Sequence, residues 1–166
     1  MRAKRNKSRE KYGTASRTSV RKQVYIRHPL DRYVTGAAAI EALFSVLRRN
    51  ASFVSVKCAV DICGGILDPV SLAIASEVPS ARVLANDINP ALADPTMTHF
   101  DATGTNFVEN LQGVVGQAID IIVSSPPYSA ADAIVQNAIL LAEVVAMMVC
   151  LGVVCVSNST SCFFHS

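Results

Sequence analysis

Charge is scarce in this sequence. Only 17% of its 166 residues are Asp, Glu, Lys or Arg, while 51% are hydrophobic and the mean hydropathy is +0.34. That excludes a wholly disordered chain, and eight glycines without a period exclude a collagen-like fibre. Paired cysteines are lacking too. Cys58, Cys63, Cys150, Cys155 and Cys162 are odd in number, none in CxxC spacing, and His28, His99 and His165 are scattered. Neither a disulfide framework nor a metal site is expected; free buried thiols fit an intracellular, nuclear or cytoplasmic chain. No apolar segment follows the basic N-terminus, so no secretory signal is read. No GxGxxG follows a strand-like run, which weakens a dinucleotide reading. The length suits one domain with a real core.

What charge there is divides unevenly. Residues 1–32 hold 11 of the 15 basic and 2 of the 13 acidic residues, a net of +9; the remainder carries −7. Residues 1–24 read as a basic disordered arm, and 25–166 as one acidic, apolar domain. The arm suits an electrostatic hold on nucleic acid or an import signal, or is a solvated tail. It lacks the amphipathic pattern of a transit peptide. The run Ala138–Val156 is about as long as a bilayer span. Glu143 and Gly152 interrupt it, and a helix-to-strand unit buried on both faces gives the same pattern, so a membrane partner is disfavoured.

Periodicity predicts a helix over 36–49, with Ile40, Leu43, Phe44 and Leu47 on one face and Arg48 and Arg49 in its last turn. Strands are predicted at Lys57–Ile62, Arg82–Asn86, Met97–Phe100, Ile119–Val123 and Leu151–Val156. Helices are predicted over Pro69–Glu77 with Asp68 as N-cap, from Thr105 to about Gly116, and over Ala131–Met148. The tail Ser157–Ser166 shows no pattern. This alternation predicts an α/β fold, a doubly wound, mostly parallel sheet of about five strands with helices on both faces. In such sheets ligands bind beyond the carboxyl ends of the strands.

Four polar motifs fall at those ends. Asp61-Ile62-Cys63-Gly64-Gly65 offers a tight turn, close backbone approach and an acid for an ammonium group, or is simply a turn. Asp87 can take both ribose hydroxyls or cap the turn into Asn89-Pro90. Asp101 can accept from an adenine amino group or cap its own turn. Ser124-Ser125-Pro126-Pro127-Tyr128 is the most specific of the four. Two prolines stop the strand and leave carbonyls free, which with a Ser hydroxyl can hold a flat amine; Tyr128 can stack on the group bearing it, or sit in the core.

The sequence resembles the class I S-adenosylmethionine-dependent methyltransferases that methylate amino groups, over about residues 31–157. Ser125-Pro126-Pro127-Tyr128 matches their (Asp/Asn/Ser)-Pro-Pro-(Tyr/Phe) motif. Asp61, Cys63, Gly64 and Gly65 resemble the methionine-binding loop, Asp87 the ribose-binding acid and Asp101 the adenine-contacting acid. Asp31-Arg32-Tyr33-Val34-Thr35 resembles the Asp-x-Tyr-x-Thr-Pro lead-in of DNA methylases, whose Tyr and Thr hold the cofactor; Gly36 stands where proline is usual.

The resemblance implies a Rossmann-like sheet, here incomplete against the family's seven strands, with S-adenosylmethionine as cofactor and no metal. The expected activity is methyl transfer to an exocyclic amine of a nucleic-acid base, adenine N6 or cytosine N4. Ser125, Pro126, Pro127 and Tyr128 would form the catalytic motif, and DNA is the favoured partner. Ser125 and the Pro126 carbonyl would hold the amine, and Tyr128 would stack on a flipped base. The alternatives are a catalytically inactive cofactor- or partner-binding remnant, a protein or RNA amine methyltransferase, and a membrane-associated protein. Oligomeric state is not read.

Overall fold

Helices return the chain across a sheet between successive strands, so its first four strands run parallel. The computed structural model describes residues 34–92, 94, 96–149, 152–157 and 160–165. Strand β1 (Cys58–Asp61) leads through helix α2 (Pro69–Glu77) to β2 (Arg82–Ala85). Helix α3 (Phe107–Val115) leads to β3 (Ile119–Ser124), and α4 (Ala131–Ala138) to β4 (Ala142–Val149). Helix α1 (Ala37–Leu47) precedes them, and β5 (Gly152–Ser157) and β6 (Thr160–His165) close the chain. The spatial order is β2-β1-β3-β4-β5-β6, with β5 and β6 antiparallel. The α/β, doubly wound, Rossmann-like architecture is as expected from the sequence.

Side chains alternate across the sheet with the two-residue period of strands. Ala59, Ile121, Val123, Val144 and Ala146 face a core built with Leu43, Phe44 and Leu47 of α1 and Val70 and Ile74 of α2. Val60, Ile62, Ile122, Val145 and Met147 face the opposite core, with Phe107 and Leu111 of α3 and Ile134 and Ala138 of α4. Phe44 and Phe107 are each 1% exposed; burial of such side chains is worth about 1.5–3 kcal/mol apiece. Helix α3 ends where Gly116 adopts φ +67°, a conformation glycine takes without strain.

Three expectations are corrected. The helix read over Ala131–Met148 ends at Ala138, and Ala142–Val149 is a strand paired with β3. An apolar run buried on both faces satisfies either periodicity, and pairing beside β3 decides it. Met97–Phe100 forms no strand, only one parallel bridge, Asn86 to Thr98. The patternless tail supplies β6, so there are six strands rather than about five. Among the described residues no helix is long and apolar enough to cross a membrane. The basic arm, 1–24, lies outside the described residues.

Candidate active site

The sheet order reverses between β1 and β3. Chain leaving β1 turns outward to β2, then crosses back over the other face to β3. Loops at the carboxyl ends of these two strands therefore part, and a cleft opens between them. Its lining includes Thr35, Asp61, Cys63, Gly64, Asp87, Asp101, Ser125 and Pro127. Segments up to 92 residues apart in sequence thus meet at one rim.

Asp61 anchors the floor. It is 1% exposed. Its Oδ1 accepts from the Ser124 hydroxyl at 2.7 Å and the Cys63 amide at 3.3 Å, and its Oδ2 accepts from the Ser71 hydroxyl at 3.1 Å. Burial pushes its pKa up to about 6, with Asp68 adding to the rise; Ser124, Cys63 and Ser71 hold it from going further. Burial likewise pushes the Cys63 thiol up, with Asp61 adding to it, so this thiol is no ready nucleophile.

Gly64 is required here. A Cβ at that position would stand 2.3 Å from Asp61 Oδ2 and 2.9 Å from its Cγ. Gly65 is buried and is not among the residues lining the cleft, and its amide donates to Asp68 Oδ2 at 2.8 Å. Asp68 precedes α2 as expected, but its carboxylate turns back to the loop and makes no side-chain cap bond to the helix.

Asp87 and Asp101 stand across from this floor. Asp87 follows β2, and its Oδ1 accepts from the Asn89 amide at 2.8 Å. Asp101 Oδ1 accepts from the Thr103 amide and hydroxyl, which hold its carboxyl below the usual range. Both side chains thus cap turns and also line the cleft.

The proline motif leaves β3 between the cleft and a second hollow. Ser125 and Thr35 line both, while Pro126 and Tyr128 line the second hollow, with Ala39 and Met148 as further walls. Tyr128 is 47% exposed, which overturns the core alternative for its ring. Tyr33 lies outside the described residues.

Three supports escaped the sequence. Asn86, fully buried, donates to the carbonyls of Ile62 and Phe100, and its Oδ1 accepts from the Phe100 amide and the Thr98 hydroxyl. Ser124 and Ser71 hold Asp61. Asn137 of α4 donates to the carbonyls of Ala102 and Gly104, steadying the Asp101 loop. The one legible signal was a polar residue ending an apolar strand, which marks Asn86 and Ser124.

No family model matches the chain. Over 66 residues it is 41% identical to the release factor glutamine methyltransferases of Xylella fastidiosa strains Temecula1 and 9a5c. Those stretches cover 37% of this chain and 24% of each relative's length.

Proposed function

We propose that the cleft binds S-adenosylmethionine and that the chain directs methyl transfer to a planar amide nitrogen, the carboxamide of a glutamine in a protein. The observation that carries this is the adjacency of two hollows. A cleft with four carboxylates shares Thr35 and Ser125 with a hollow walled by Pro126 and Tyr128. The likeness to release factor glutamine methyltransferases supports the acceptor, since those relatives are named for a protein side chain. The chain spans about a quarter of their length.

The residues fit the cofactor on their own chemistry. The floor brings the loop backbone against a buried carboxylate at Gly64, where no larger residue has room. Asp61 suits an ammonium group and Asp87 a pair of hydroxyls, while apolar Ile88, Phe100 and Ile134 suit a flat base. When bound, S-adenosylmethionine supplies a methyl group on a positively charged sulfur. The chain's own part is to orient. The Ser125 hydroxyl and the Pro126 carbonyl accept the amide N–H groups, turning the nitrogen lone pair toward the cleft. They also hold the charge that grows on nitrogen until a proton leaves it. Tyr128 lies over the planar group.

Calorimetry with S-adenosylmethionine, followed by labelled methyl transfer to a glutamine-containing peptide and to DNA, tests this. Binding that Asp87→Ala abolishes, with transfer to the peptide, is expected. Transfer to DNA alone would restore the base-amine acceptor that the basic arm suggests. Binding without transfer would leave a cofactor-binding protein, and no binding would refute the proposal.

A further inference from the structure

We propose that Ser124 is a positioning residue that ties the donor loop to the acceptor motif, so that filling the cleft orders Ser125–Tyr128. This rests on the cofactor reading of the cleft given above. Backbone pairing between β1 and β3 runs through Ala59–Ile121 and Val60–Ile122 and stops there, two residues short of Ser124. Beyond that point the two strand ends are joined by side chains. Ser124 is 0% exposed. Its hydroxyl donates to Asp61 Oδ1 at 2.7 Å and accepts from the Cys63 amide at 3.1 Å. A hydroxyl has one hydrogen, so donation to Asp61 leaves only its lone pairs for Cys63, and the directions of both bonds are fixed.

Ser124 is also covalently one step from the acceptor motif. Pro126 and Pro127 have fixed φ, which leaves fewer torsions between Ser124 and Tyr128 to absorb a displacement. A shift of the loop carrying Cys63 and Gly64 is therefore passed to Ser125 and on to Tyr128. Ser71 provides an internal control, since it donates to the other oxygen of Asp61 from α2 rather than from the residue next to the acceptor motif. The ionisable groups that act on Asp61 and its neighbour are Asp68 at the head of α2 and the Cys63 thiol on the loop, which Asp87 after β2 faces in turn.

Hydrogen exchange with and without S-adenosylmethionine tests this, read at the amides of Cys63, Gly64, Ser125, Tyr128 and Ser129. The unaltered protein should gain protection in both segments. Ser124→Ala should keep the gain at Cys63 and Gly64 and lose it at Ser125 and Tyr128, whereas Ser71→Ala should keep both. Each variant removes a donor to Asp61, so in each the pH midpoint of cofactor affinity should move upward. Only Ser124→Ala should uncouple the segments. If it does not fold, Ser124→Cys, of similar size but a weak donor, takes its place with the same expected loss. Protection at Tyr128 unchanged in these variants would reduce Ser124 to packing and overturn the inference. No protection anywhere in the unaltered protein would instead refute cofactor binding itself.

Discussion

Asp61→Asn removes the buried charge beneath the cleft while keeping its hydrogen-bond geometry. The amide oxygen can still accept from Ser124 and Cys63, and the new NH2 can donate to Ser71, whose hydroxyl turns from donor to acceptor. In the native chain burial lifts the Asp61 carboxyl from 3.8 to about 6. A rise of that size corresponds to about 3 kcal/mol between the two protonation states. Its sign follows from linkage. Between pH 4 and 6 the folded state binds the proton and the unfolded state does not, so the stability Asp61 contributes is complete below about pH 4 and is lost as pH rises through about 6. The variant has no such loss. For a chain of this length about 3 kcal/mol corresponds to roughly 6–12 °C in Tm. Thermal melts of both proteins without ligand, from pH 4 to pH 7.5, should show the variant gaining about that much on the native chain across the window, then running parallel. A difference that stays flat, or moves the other way, would refute the argument that an ionised Asp61 is held there against its desolvation cost.

Other substitutions separate fit from chemistry. Gly64→Ala should lower stability by about 2 kcal/mol and abolish cofactor binding, because its Cβ meets Asp61 Oδ2; Gly36→Ala, with nothing within 4 Å, should leave stability unchanged in the same denaturant titration. Asn86→Ala should cost about 3 kcal/mol, since buried backbone groups of Ile62 and Phe100 lose their partner. Tyr128→Ala should change stability by less than about 1 kcal/mol and retain S-adenosylmethionine in calorimetry while losing transfer; loss of fold would place the ring in a structural role.

The strand ends were the most legible feature of the chain. Asp61, Asp87 and Ser125 lie at or just beyond the carboxyl ends of β1, β2 and β3, and that position is enough to bring them to one rim, which Asp101 reaches from a segment that forms no strand. What holds them was not legible. Asn86 sits beside Asp87 in sequence, yet its four side-chain hydrogen bonds reach residues 12 to 24 positions away, and no local pattern encodes such partners. Ser124 looks like its neighbour Ser125, but Ser124 is the last residue of β3 and bonds Asp61, while Ser125 lies past the strand and lines the cleft. Ala142–Val149 was misread because burial on both faces erases alternation.

The sequence by itself determined the α/β alternation and the residue types offered at the ends of β1, β2 and β3. These depend on local periodicity and on where proline, glycine and carboxylates interrupt it. Tertiary structure alone decided that β4 is a strand, that the tail adds β6, that Tyr128 is half exposed, and that Asp61 is buried and held by two serines from separate elements. Desolvation and strand pairing act between segments distant in sequence, so the groups they join become neighbours only when the sheet assembles.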